Sequence, residues 1–247
     1  MLEVDGLRKR FGGIAASDGV ALSVPAGELH ALIGPNGAGK TTLIAQLAGS
    51  LAADAGAIRF DGADVTHLTQ HRRVKAGLVR SHQVTSVFLR LTVLENLALA
   101  VQAREGTSFS FWRPVAAERA LFDEARAAAA QVGLAGKEGV PAAELAHGEQ
   151  RALELGLALA TRPKMLLLDE PLAGMGPEES ERMVALIGGL RGRLTVLLVE
   201  HDMDAVFRLA DRVSVLVGGQ VIATGAPAEI RANAQVRAAY LGEEAAA

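Results

Sequence analysis

The chain has no cysteine in its 247 residues. Disulfides, thiolate nucleophiles and cysteine metal sites are therefore excluded, and a reducing compartment fits. A strong excess of either charge is also missing: 25 Lys and Arg face 28 Asp and Glu, a formal net of −3. A dedicated nucleic-acid binder usually carries a basic surplus, so no nucleic-acid partner is expected. Long hydrophobic runs are absent too. The longest, "LTVLLV" and "MLLL", have the length of buried strands and fall far short of the roughly 18 apolar residues of a membrane span. The opening "MLEVDGLRKR" carries two acids and no apolar core of a leader, so no signal peptide is read and a cytoplasmic location is expected. No internal repeat is found, and the tail "AAYLGEEAAA" is too short for an added regulatory domain.

What is present supports a packed core. Half the residues are hydrophobic, and the length suits one large domain or two lobes sharing a core. Residues 1–30 read as short strands separated by glycine and polar turns, and "LHALIG" as a buried strand running into a glycine loop. "KTTLIAQLAG" reads as a helix with Gly49 near its end, and "GAIRFDGADV" as a strand and turn. The character then changes. "TVLENLALAVQAR" and "AAERALFDEARAAAAQVGL" have helical spacing and strong helix formers, with "EGTSFSFWRP" between them as an aromatic, proline-ended loop. From "PKMLLLDEP" onward strands and helices alternate again, and "DRVSVLVGGQVIATG" predicts a hairpin turned at Gly218–Gly219.

The glycine loop has a specific pattern. Gly34, Pro35, Asn36, Gly37, Ala38, Gly39, Lys40 and Thr41 match G-x-x-x-x-G-K-[ST], with Thr42 following. Glycines let backbone N–H groups converge on phosphate oxygens without Cβ clashes. The next helix points its positive end at the same phosphates. Lys40 supplies a mobile charge for the β- and γ-phosphates, and Thr41 a hydroxyl for Mg²⁺. The strand "MLLLDE" supplies the complementary acids: Asp169 for the Mg²⁺ shell, Glu170 to orient or deprotonate a water. His201 follows "TVLLVE", at the C-terminal edge of a further strand, where ligands of parallel sheets gather. Gln83, at the passage into the helical stretch, offers an amide to Mg²⁺ or to the water.

One further stretch, "ELAHGEQRALELG", matches no metal, nucleophile or nucleotide fingerprint that works alone. The ordered set of phosphate loop, Gln83, "LAHGEQR", "MLLLDE" and His201 resembles the ATP-binding cassette (ABC) ATPases over essentially the whole chain. Leu145, Ala146, His147, Gly148, Glu149 and Gln150 resemble that family's signature. The resemblance implies an α/β fold: a P-loop NTPase core of ABC type, an N-terminal antiparallel β subdomain and an inserted α-helical subdomain. It implies one ATPase domain over 1–247, with a core lobe of 1–83 and 161–247 and a helical lobe of 84–160. It also implies ATP and Mg²⁺ as cofactors. The signature would cover ATP held by a second ATPase subunit, identical or not, with Gly148 N–H and the helix dipole aimed at the γ-phosphate. Two transmembrane permease subunits would be driven, served indirectly by a solute-binding protein, and the chain would sit peripherally on the inner face of the cell membrane. Phe11 would stack on adenine, Gln83 would form the Q-loop, Glu170 the catalytic base and His201 the switch histidine. Glu95 and Asn96 are either interface residues towards a permease or a solvated helix start.

Two stretches depart from the family. Ala146 replaces the signature serine, and Ala173-Gly174-Met175-Gly176 replaces S-A-L-D. Each removes a polar side chain at the expected dimer interface. The fine pattern, including "AHGEQR", "LAGMGPEE", "FWRP" and "VRAAYLGE", resembles the importer ATPases for branched-chain amino acids. Other readings stay open at this point: an exporter ATPase of the lipopolysaccharide type, a urea, amide or aromatic-acid importer, a soluble ABC ATPase, a P-loop kinase, or a subunit that binds ATP and hydrolyses it poorly.

Overall fold

The computed structural model describes residues 1–81, 87–105 and 119–244. Contacts divide the chain into two compact units: 1–80, 164–172 and 187–247 in one, 81–163 and 173–186 in the other.

The first unit holds two sheets. Strands β1 (Leu2–Phe11), β2 (Ile14–Val24), β4 (Ala55–Phe60) and β5 (Ala63–Asp64) form an antiparallel sheet in the order β2-β1-β4-β5. Alternation sets its faces, with Leu2 and Val4 of β1 and Val20, Leu22 and Val24 of β2 turned inward, and a register shift between Val4 and Leu7 brings Leu7 to the same side. The second sheet runs β10-β9-β3-β8-β7-β6, from β3 (Leu29–Ile33), β6 (Leu78–Arg80), β7 (Met165–Asp169), β8 (Thr195–Val199), β9 (Arg212–Val217) and β10 (Gln220–Gly225). Its strands are parallel except β10, which returns antiparallel to β9 through Gly218 and Gly219, as the glycine pair predicted. Strands β3, β7 and β8 are buried at every residue, the pattern of a parallel sheet covered on both faces.

Helix α1 (Lys40–Ala48) lays Leu43, Ile44 and Leu47 into a core shared by the two sheets, with Phe60, Leu167, Leu197 and Val199. It ends at Gly49, whose backbone is left-handed at φ 78°. Its C-terminal carbonyls meet Arg73 of α2 (Gln70–Ala76): Nη1 donates to Gln46 O and Leu47 O at 2.7 Å each, and Nη2 to Thr66 O at 2.9 Å. A cation at a helix C-terminus answers both the unpaired carbonyls and the dipole.

The second unit is helical. It contains α3 (Val93–Glu105), α4 (Arg119–Gln131), a 3-10 turn (Ala142–Glu144) and α5 (His147–Ala160), with the first turns of α6 (Pro177–Gly188). The remaining helices, α7 (Met203–Leu209), α8 (Pro227–Ala232) and α9 (Ala234–Glu244), belong to the first unit. Within the helical unit Arg104 pairs with Glu124 and donates to Ala160 O at 3.1 Å, tying α3, α4 and α5 together. Asn96 corrects the interface expectation. It is fully buried, accepts from Phe88 N at 2.8 Å, and donates to Phe88 O, Leu91 O and Thr92 O at 3.1, 3.2 and 2.9 Å. It shapes the turn before α3 and cannot meet a partner. Glu95 is exposed and accepts from Thr92 N at 2.8 Å, a capping pair that opens α3.

The expected α/β architecture, with an antiparallel β part and a helical part, is the one observed. Residues 106–114 of the aromatic stretch "EGTSFSFWRP" and Gln83 lie outside the described residues.

Candidate nucleotide site

The C-terminal edge of the parallel sheet gathers the chemistry of the first unit. Neighbouring strands β3, β8, β7 and β6 release, in that order along the edge, the glycine loop, Glu200 and His201, Asp169 and Glu170, and Arg80.

The loop leaves buried Ile33. A Cβ at Gly34 would lie 2.1 Å from Leu216 O, and one at Gly39 would lie 2.0 Å from Ala16 O. Only glycine fits at either place, so backbone amides line the turn. Ala38 is buried, its carbonyl accepting from Gly219 N at 3.0 Å, while Asn36 and Gly37 are exposed and Pro35 is half-buried. Helix α1 has no side-chain cap and no acid in its first turn. Its positive end is left for an anion from elsewhere. Lys40 is buried, and its ammonium donates to Gly34 O at 2.6 Å and Pro35 O at 2.9 Å. Thr41 is exposed and Thr42 half-buried in the same turn.

Asp169 ends β7 and is buried. Its Oδ2 accepts from Arg80 Nη2 at 2.8 Å. Its Oδ1 is also buried and finds no hydrogen-bond partner among the described residues. A buried carboxylate oxygen in that state is costly, and a hard cation or its water is the ligand class that satisfies it. This fits Mg²⁺. Glu170 follows with a left-handed backbone, φ 50°, fixed by its own N–H to Val199 O at 2.8 Å. A non-glycine residue held there is strained, and such strain concentrates at functional sites.

His201 is exposed at 67% of its side chain, directly before Asp202, which caps α7 by accepting from Ala205 N at 3.0 Å. Its backbone N–H donates to Glu200 Oε2 at 3.2 Å. Glu200 was not singled out from the sequence. An acid after a buried strand reads as solvent-facing, yet this one is buried, and burial pushes its carboxyl above the ordinary carboxylate range. Phe11 is 51% exposed, so it is not a core side chain, and the Lys9 ammonium lies 5.7 Å from its ring centre.

The signature residues sit in the helical unit. Leu145 is buried, and Ala146 occupies the N-cap of α5 with an extended backbone at φ −60° and ψ 159°. Alanine has no oxygen to cap with. Glu149 reaches back instead and accepts from Ala146 N at 3.2 Å; its ion pair with Lys137 is the main cause holding its carboxyl below the usual range. Gln150 donates to Ala142 O at 3.1 Å and Leu145 O at 3.3 Å, stapling the preceding turn. His147 is exposed. Gly148 N–H is already engaged, donating to Glu179 Oε1 at 3.0 Å. A Cβ at Gly148 would lie 2.8 Å from that carboxylate, so glycine is what lets the acid approach. A cavity of about 410 Å³ opens beside this turn, lined among others by Leu134, Met183 and Leu186.

A parallel sheet whose edge carries a phosphate loop, a strand-ending Asp-Glu pair and a histidine defines a P-loop nucleotide-binding ATPase. Comparison with known proteins narrows the class. The ABC transporter family matches residues 17–173. A second family, the branched-chain amino acid ATP-binding cassette transporter, matches residues 220–246. The high-affinity branched-chain amino acid transport ATP-binding protein BraF of Pseudomonas aeruginosa is 40% identical, covering 98% of both chains. The corresponding LivG protein of Escherichia coli K12 is 38% identical, again covering 98% of both. Among solved structures, the ADP conformation of an ATP-binding cassette of an ABC transporter superposes with a TM-score of 0.86 at 30% identity, covering 98% of each chain. The chain belongs to the ABC transporter family and is an ABC-type ATPase.

Proposed function

We propose that the chain is the ATP-hydrolysing subunit of an importer for branched-chain amino acids. The observation that carries this is the match of residues 220–246, beyond the general cassette match at 17–173, to the branched-chain family. That match favours the importer over the exporter alternative.

In this reading both units make one ATPase domain over 1–247. The ATP phosphates rest on the amides of Gly34–Gly39 and the open end of α1. Lys40 exchanges its two loop carbonyls for phosphate oxygens. Thr41 and Asp169 would hold Mg²⁺, with Gln83 added by the family resemblance, and the ion when bound would neutralise charge on the phosphates. Glu170 accepts the proton of the attacking water. His201 contacts the γ-phosphate, and Phe11 stacks on adenine. The turn Leu145–Gln150 covers ATP held by a second ATPase subunit. Two transmembrane permeases receive the closing motion, and a solute-binding protein delivers the cargo. The chain is then peripheral to the inner face of the membrane; among the described residues no helix is long and apolar enough to cross one.

Uptake of radiolabelled leucine tests this in cells lacking the chain. The wild-type chain restores ATP-dependent uptake, and Lys40→Ala and Glu170→Gln do not. Leucine uptake that is indifferent to the chain, or equally restored by both variants, would overturn the reading.

A further inference from the structure

The loops leaving β7 and β8 are joined by one side chain. Strand β7 ends at Asp169, which stands opposite Val199, the last residue of β8. Three residues past Asp169 comes Leu172, and two past Val199 comes His201. Between them lies Glu200, 1% exposed. Its Oε1 accepts from Leu172 N at 2.8 Å and its Oε2 from His201 N at 3.2 Å. Both oxygens are committed to backbone amides from the two loops, and the Asp202 amide also faces the carboxylate. The His201 ring itself stands outside this grip, its Nδ1 3.9 Å from Oε2.

We propose that Glu200 is a positioning residue for ATP hydrolysis, its carboxylate clamping the backbone of His201 to the chain that follows Asp169 and Glu170. It acts through the His201 backbone, with both of its oxygens accepting from main-chain amides. It fixes where the His201 ring starts from, relative to the acid that activates the water. A buried carboxylate is expensive to keep, and a purely structural link between two loops needs only one neutral acceptor. Two charge-assisted bonds to two loops give rigidity at the place where misplacement is most damaging. Glutamine has the same shape but one of its ends is an NH₂ group, which faces an N–H and cannot accept. One of the two bonds is then lost while the packing is kept.

This inference rests on the hydrolytic roles proposed for Glu170 and His201. The test is a double-mutant cycle on the purified full-length chain, reading kcat and KM for ATP and the thermal midpoint. Glu200→Gln is expected to lower kcat about tenfold or more and to leave KM within about twofold, since the phosphate loop is untouched. Placed on His201→Ala, it should add less than about a twofold further loss, because the group it positions is gone. An unchanged kcat in Glu200→Gln, or losses that multiply in the double variant, would overturn the proposal. If Glu200→Gln folds poorly, Glu200→Asp takes its place: it keeps both acceptors, falls one methylene short of spanning the loops, and should show the same non-additivity with His201→Ala. A wild-type chain that binds ATP without hydrolysing it, both alone and mixed with the second ATPase subunit, would sink the parent reading, and the proposal with it, before any variant is compared; the cycle is run in whichever of the two preparations hydrolyses.

Discussion

Glu170 combines a property visible in the sequence with one that is not. Its place after a buried apolar strand is written in "MLLLDE". Its left-handed backbone at φ 50° arises from the bond to Val199 O across the sheet, a tertiary fact that residue types do not announce. The same split holds for Glu200, whose burial depends on how two loops close over it, and for the Arg80–Asp169 pair, which joins residues far apart in the chain. Glu170→Gln keeps the shape and removes the proton acceptor. Phosphate release should fall by roughly 10²–10³-fold, while equilibrium dialysis shows ATP still bound. His30 yields a prediction of a different kind. It is buried between Glu28 and Ser214, at 2.7 and 2.8 Å, and burial pulls its pKa below the ordinary 6.5. The unfolded chain takes up a proton near that pH which the folded chain refuses. Its contribution to stability is therefore complete above the unfolded value and is lost as pH falls below it. Glu200 has the opposite sign, because its folded pKa is raised. Urea midpoints should fall between about pH 7.5 and about pH 5.5, and His30→Gln should flatten that fall.

At the scale of elements, the helices and strands follow from periodicity, glycine punctuation and apolar run length. The β9–β10 hairpin and the end of α1 at Gly49 were legible for that reason. Asn96 was not, because a polar residue near a helix start looks the same whether it faces water or is buried on three carbonyls. The N-terminus of α5 held the larger surprise. The family resemblance implies that Gly148 N–H faces a phosphate of a second subunit's ATP, yet in this chain it donates to Glu179 Oε1 at 3.0 Å. An anion already on the helix dipole competes with an incoming one. Glu179→Ala should lower the ATP concentration for half-maximal association by about threefold to fivefold, read by light scattering in a Glu170→Gln background. An unchanged or raised concentration would show that the carboxylate moves aside without cost, into the adjoining cavity of about 410 Å³. Arg73 offers a stability test. Lysine cannot fork onto the carbonyls of Gln46, Leu47 and Thr66 together, so Arg73→Lys should cost about 2–3 kcal/mol in chemical denaturation.

On the scale of the whole molecule, the ordered motifs identified the family from sequence because each is a backbone or charge requirement at a fixed place: the phosphate loop, Asp169, Glu170 and His201 on one sheet edge, the signature at the start of α5. What the sequence left open is what the chain assembles with, since Ala146 and Gly176 remove polar groups from the expected pairing surface. The account nevertheless requires association through ATP, as the signature turn meets no nucleotide without a second subunit. The direct test is the solution mass of Glu170→Gln over a concentration series, with and without Mg-ATP, alone and mixed with the second ATPase subunit of the same transporter. A monomer is expected without ATP and a two-subunit particle with it in at least one of the two preparations. A chain that binds ATP and keeps a monomer's mass in both would contradict it.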